Sequence, residues 1–276
     1  MTSFIMKRTS FILAMVLLSF LAAVALLAPW LTLHDPYAQN LDNRFAGPSG
    51  TYWFGTDDLG RCVYSRLIMG TRVSLFTGII VVSLNALIGS LVGLISGFGP
   101  KVFDSIVMGL LDILLAFPGT ILTLAVAGIL GPGFLNMIIA LTLLGWVGYA
   151  RFVRGMVLSL KEREFIETAR SLGFGSFHIL FKHLLPNCLG PIIVLSSMEM
   201  AGVILMAAGL NFLGLGVQDS YPEWGAMLDR GKNYLRTAPH IATFPGLAIM
   251  VTVLAFNLLG DGLRDLLQGG EVTRSV

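Results

Sequence analysis

The chain has 276 residues, of which 55% are hydrophobic and only 12% charged. Soluble domains are about a quarter charged, so this polar surface cannot clothe a globule and a lipid-facing fold is implied. The formal net charge of +2 is too small to point to nucleic acid, and Cys62 and Cys188 fit no metal or redox spacing.

A helix crossing a bilayer needs about 20 apolar residues. The first such run is Phe11–Leu33. Lys7 and Arg8 ahead of it would suit a signal peptide, but its length and Pro29 directly after Ala28 favour a retained anchor. A polar stretch, 34–72, separates it from the second run, Val73–Phe98. There Gly89, Gly93 and Gly97 recur every four residues, the spacing that lets helices approach closely. The third run, Ser105–Leu130, contains Pro118, which is expected to break or kink it, and Asp112 near one end, read as a structural partner. The fourth is Phe134–Ala150.

The chain then turns polar. EREFIETARSLGFGSFHILFKHLLPN, from Glu162 to Asn187, lies between two apolar blocks. Arg151–Leu172 reads as a helix with Leu158, Phe165, Ala169 and Leu172 on one face, stopped by Gly173 in a left-handed cap. Ser176 can cap a second short helix, Phe177–Leu185, and Pro186 is expected to break the chain after it. The resulting hairpin would carry an apolar ridge of Phe174, Phe177, Ile179, Leu180 and Phe181. Such a ridge either lies on the lipid surface or fits a groove of a soluble partner.

The fifth run, Cys188–Val217, carries Glu199 near its middle with no neutralising residue in its own helix. A charge at membrane depth costs about 2.5–3.5 kcal/mol on insertion scales, so Glu199 is a functional candidate that would meet a cation or pair with a second subunit. Asn211, farther along the same run, is the other polar candidate for a translocation pathway. Met198, Met200 and Met206 are read as packing rather than as soft-metal ligands. After a second polar stretch, 218–240, comes the sixth run, Ile241–Leu259, and a tail, 262–276. Trp53, Trp224 and Tyr234 fall where an interfacial aromatic belt would sit. His34, His178, His183 and His240 are scattered over loops, so no metal site is assigned. Placing both termini inside puts eleven of the 18 Lys and Arg residues on the cytoplasmic side. The 151–187 segment is then cytoplasmic, and 34–72 and 218–240 lie outside.

Glu167-Thr168-Ala169, Gly173 and Leu185-Pro186 resemble the EAA motif of ABC importer permeases. Phe54–Leu75 (FGTDDLGRCVYSRLIMGTRVSL), Leu110–Gly119 (LLDILLAFPG), FLGLGV, PEWGAML and NLLGDGLRDLL resemble the dipeptide, oligopeptide and nickel branch of those permeases. Cys62 stands where the branch usually has aspartate, and Gln268-Gly269 where it has Asp-Pro. The resemblance implies an all-α type I permease: a short N-terminus (1–10), a first transmembrane helix (11–33), an external segment (34–72) and a core over 73–261. That core has six spans in all with the first helix, and includes the 151–187 coupling loop. In that loop Glu167, Ala169, Gly173, Phe174, Phe177, His178, Phe181, Leu185 and Pro186 would engage an ATPase subunit, with Phe174–Lys182 as the coupling helix. The implied partners are a second homologous permease, two ATP-binding cassette subunits, an external solute-binding protein and membrane lipid. The implied place is the bacterial inner membrane with both termini cytoplasmic. No cofactor is expected on this chain; ATP and Mg would be used by the partner subunits, and no GxxxxGK[ST] loop occurs.

For the cargo, an acid at Glu199, none at Ala207, and the stretches PEWGAML and FPGLAIM (Phe244–Met250) resemble nickel-type members. The expectation is nickel or another divalent metal, free or chelated, with dipeptide or oligopeptide as the alternative. A secondary transporter or a stand-alone channel would not need the hairpin, and an intramembrane enzyme would need a motif such as HExxH or GxSxG, which is absent.

Overall fold

The computed structural model describes residues 2–217 and 221–272, with side chains for 9–217 and 221–266. The readings that rest on the side chains of Lys7, Arg8, Gln268 and Arg274 lie outside the described residues. Ten helices follow in chain order: α1 (Thr2–Leu31), α2 (Val63–Phe98), α3 (Lys101–Leu115), α4 (Gly119–Leu130), α5 (Phe134–Leu160), α6 (Glu164–Ser171), α7 (Ser176–His178), α8 (Leu185–Phe212), α9 (Trp224–Lys232) and α10 (His240–Val272). A π-helical stretch, Ile179–Leu184, joins α7 to α8 without a break. Among the described residues, five helical runs are long and apolar enough to cross a bilayer.

The expected third span is not one helix. α3 and α4 meet at 84°, so together they make a bent sixth candidate. Pro118 is the cause: it has no N–H to continue α3, and its extended backbone (φ −57°, ψ 120°) restarts the chain as α4. Other elements overrun their expected bounds. α2 begins at Val63 rather than Val73, α5 continues past Ala150 to Leu160, and α10 continues past Leu259 to Val272. The extra turns of α2 are polar but buried: Ser65, Arg66 and Thr71 face protein rather than water.

α2 and α5 form the central pair, and the glycines spaced by four are their contact stripe. A methyl group on Gly89 would fall 2.4 Å from the Trp146 carbonyl oxygen, and one on Gly93 would fall 2.5 Å from that of Ala150. A core including Val81, Met137, Ala140, Ile204 and Leu210 fills the middle of the bundle. A second, including Leu94, Val153, Val157, Ile166, Ile179 and Leu184, lies toward the hairpin. Outward-facing residues stay apolar, with Trp30 79% and Ile129 85% exposed, as lipid contact requires.

The end opposite the hairpin is capped by 32–62, α9 and the start of α10. Asp57 Oδ1 accepts the backbone N–H groups of Leu59 and Arg61 (both 2.9 Å), and Oδ2 pairs with Arg61 Nε at 2.7 Å. Asp58 binds Arg230 Nη1 at 2.8 Å, and Phe54 stacks on Phe244 at 4.0 Å. Trp224 is not a belt residue. It is 1% exposed and donates its indole N–H to the Leu67 carbonyl at 3.1 Å, while Trp53 remains half exposed. Cys62 and Cys188 are both buried and free.

Candidate coupling hairpin and pathway pocket

The hairpin differs from the single long helix expected for 151–172. α5 ends at Leu160, a turn intervenes, and α6 restarts at Glu164. The restart shifts the helical phase. Ile166 (0%) and Ala169 (4%) are buried, whereas Phe165 (42%) and Leu172 (71%) are exposed. Gly173 does cap α6. Its φ is +81°, its N–H donates to Arg170 O at 2.9 Å, and the Phe174 N–H reaches back to Ala169 O at 3.1 Å. That pair of bonds is a Schellman cap, which satisfies carbonyls that the helix end would otherwise strand.

Pro186 does not break the second arm. In a regular α-helix its ring would press on the carbonyl four residues back, that of Lys182. The π-helical turn widens the spiral just before it, with the Leu185 N–H bonding to Leu180 O, five residues back. Asn187 Nδ2 donates to the His183 carbonyl at 2.6 Å. Ser176 through Phe212 therefore forms one continuous helical rod of 37 residues.

The apolar ridge is narrower than expected. Ile179 is 1% exposed and joins the core, and Leu180 packs half-buried beside it. Phe174 (44%), Phe177 (77%) and Phe181 (41%) stay at the surface, with Phe177 and Phe181 in ring contact at 4.6 Å. His178 and His183 are not scattered. Their rings lie 5.6 Å apart, and Phe174 stacks on His178 at 4.5 Å. Glu167 and Pro186 are exposed and Leu185 is half-buried. Of the sequence-predicted docking residues, Phe174 and His178, and Phe177 and Phe181, are thus in ring contact on the outer side, whereas Ala169 belongs with Ile166, Ile179 and Leu184 to the buried base.

Two ion pairs fasten α3 to α5 nearby. Asp104 takes both Nε and Nη2 of Arg154 (2.5 and 2.6 Å) and the Ser96 hydroxyl (2.6 Å). Asp112 pairs with Arg151 at 2.5 Å, which agrees with a structural role for that acid.

Glu199 lies on an exposed part of α8 and lines an open pocket of about 420 Å³ together with Asn85, Thr120, Thr123, Leu141 and Met206. Among the described residues it has no hydrogen-bond or ion-pair partner. Asn211 is not brought to this pocket. It is 3% exposed, donates to Ala207 O at 3.0 Å, and accepts the Val217 N–H at 2.5 Å, so its amide secures the turn after α8. Asn85 of α2 and Thr120 and Thr123 of α4 escaped sequence reasoning because no stretch of sequence brings them together with Glu199 of α8.

A second buried acid, Glu223, was also missed. It is 3% exposed, caps α9 by accepting the Ala226 N–H at 2.9 Å, and accepts the Ser74 hydroxyl of α2 at 2.9 Å. Burial pushes its carboxyl above the ordinary 4.5, against the pull of the hydrogen bonds from Ala226, Ser74, Gly225 and Trp224. Its sequence signal is an acid directly ahead of a short helix, the N-cap pattern.

Comparison with known proteins carries the geometry to a family. Residues 89–270 match the family described as "Binding-protein-dependent transport system inner membrane component". Residues 5–48 match the "N-terminal TM domain of oligopeptide transport permease C". A glutathione transport system permease protein from Pectobacterium atrosepticum is 46% identical over 250 residues, covering 90% of this chain and 82% of that one. One from Shigella dysenteriae matches with the same identity and coverage. A dipeptide transport system permease protein from Alkalihalophilus pseudofirmus is 41% identical over 261 residues, covering 95% of this chain and 86% of that one. The chain belongs to the binding-protein-dependent transport system inner membrane components: it is an all-helical, multi-pass inner-membrane permease subunit of an ABC importer and not its ATPase.

Proposed function

We propose that this permease forms half of the pathway of a peptide-type importer, paired with a second homologous permease, driven by two ATPase subunits and supplied by an external solute-binding protein. The cargo reading rests on the relatives, which are named for glutathione and for dipeptides. They favour short peptides over the nickel expectation drawn from Glu199 and PEWGAML.

The observation that carries the coupling role is the exposed patch of Phe174, Phe177 and Phe181 on its buried base. Three aromatic side chains held at the surface by a Schellman cap and a π-turn are costly to leave in water and suited to a groove. On this reading the hairpin points into the cytoplasm and both termini lie there. Glu167 and Gly173 set the tip's geometry, Ala169, Leu185 and Pro186 its base, and His178 lies under Phe174. ATP and Mg act on the ATPase subunits; their closure tilts the hairpin and opens the pathway outward.

Gly173→Pro tests the assignment, because proline cannot adopt a φ of +81°. The expected result is normal membrane insertion with loss of ATP-driven glutathione or dipeptide uptake and poor co-purification of the ATPase. Wild-type uptake by that variant would refute the coupling role.

A further inference from the structure

The pocket at Glu199 is lined by two groups of opposite character. One is Glu199 itself, a carboxylate with no ion-pair partner among the described residues. Asn85 lines the same pocket; it is 3% exposed, and its side-chain oxygen is buried with no hydrogen-bond partner among the described residues. A buried orphan acceptor in one pocket with an uncompensated carboxylate asks for a donor that carries positive charge.

The other is the start of α4. Gly119 and Thr120 line the same pocket. The first intrahelical bond runs from the Leu122 N–H to Pro118 O at 3.1 Å. The N–H groups of Gly119, Thr120 and Ile121 therefore have no acceptor among the described residues, and Pro118 has no side-chain oxygen to cap them. A helix start left open in this way favours an anion. The 84° break between α3 and α4 creates this free terminus, where Gly119, Thr120 and Ile121 are exposed.

From these two groups we infer that the pocket is a subsite for a zwitterion. It receives the free α-ammonium of a short peptide at Glu199 and Asn85, and a peptide carboxylate at the N–H groups of Gly119 and Thr120. The inference rests on the peptide-importer reading and adds which groups of the cargo the permease itself touches. A bare divalent cation would leave the N–H groups unanswered, whereas a zwitterion carries a charge for each group. Thr123, 7% exposed on the same wall, adds a hydroxyl to the pocket's polar lining.

The test uses the complete transporter, with its second permease, ATPases and binding protein, reconstituted in proteoliposomes. Uptake of labelled glutathione and of labelled alanyl-alanine is measured alongside ATPase stimulation by the loaded binding protein. Glu199→Gln should lower the maximal uptake rate about ten-fold or more, the scale of one lost hydrogen bond to a charged group, without changing half-saturation, which the binding protein sets. Glu199→Asp should recover part of the rate. Gly119→Pro removes one first-turn N–H at the helix position where proline fits, and a side chain there meets open space. It should lower uptake similarly, and Gly119→Ala, which keeps the N–H, should lose less. ATPase stimulation should persist in all four.

Uptake by Glu199→Gln within two-fold of wild type overturns the inference. So does a joint loss of uptake, ATPase stimulation and co-purification of the second permease, which would make Glu199 an ion-pair partner between subunits. A wild-type transporter that moves radioactive nickel but neither peptide defeats the peptide reading itself, whatever the variants do.

Discussion

Glu223 holds its place against a desolvation cost, and the consequence can be measured. Two donors, the Ala226 N–H and the Ser74 hydroxyl, depend on its oxygens in a site almost closed to water. Glu223→Ala strands both and should lower stability by about 1–3 kcal/mol, read as a drop in the detergent melting temperature. The pH dependence has a definite sign. The folded carboxyl titrates above 4.5, so the folded protein holds this proton over a pH range where the unfolded chain has released it. The stability from this group is fully present below about pH 4.5 and is lost as pH rises through the folded value. Glu223→Gln should flatten that part of the stability profile. Cys62 offers a test in the other direction. It is the N-cap residue of α2 but makes no side-chain cap bond, so Cys62→Ser should stabilise by about 1 kcal/mol, again by thermal melting.

At the scale of elements, the α2–α5 contact is the least tolerant. A methyl group on Gly93 would sit 2.5 Å from a backbone oxygen that cannot swing away. Gly93→Leu should prevent the two helices from docking and abolish recovery of a monodisperse protein on size-exclusion chromatography. This contact was legible in the sequence, because a repeat of four on one helix needs no knowledge of its partner. The burial pattern of the hairpin was not. A single unbroken phase from Arg151 predicts Phe165 on the inner face. The turn at 161–163 resets that phase and puts Ile166 there instead. The π-turn was likewise hidden, since Pro186 by itself signals a break, and only a widened turn before it lets the helix pass.

At the scale of the whole molecule, six apolar runs were readable because lipid demands them, whereas their true ends were not. Arg66 looks like the water-facing flank of a span until Pro36 O, 30 residues away, accepts from its Nη1 at 3.1 Å inside the cap. The Glu199 pocket is the extreme case: its polar residues come from α2, α4 and α8, so no window of sequence contains them. The bend between α3 and α4 can be tested at this scale. Spin labels at Ile106 and Ile129, both exposed, would stand about 35 Å apart on a straight helix at 1.5 Å per residue. The 84° bend requires less. Pro118→Ala should move the measured distance toward the straight value and reduce uptake. An unchanged distance would mean that packing, rather than the proline, maintains the bend.

The rod from Ser176 to Phe212 has a mechanical consequence. Glu199 stands 23 residues along it from Ser176, about 35 Å of helix, with Pro186 and Pro191 lying between them. If the ATPase grips the tip, the pocket wall and the handle are two points on one lever, and any tilt at one is felt at the other in the same stroke. The lever's π-helical turn, Ile179–Leu184, sits at the grip, and Pro191, which has no N–H to give the helix, lies farther along the shaft ahead of Glu199. A partner of imperfect fit is thus seated against a widened turn, and what reaches the pocket wall is the displacement that passes both the turn and the proline.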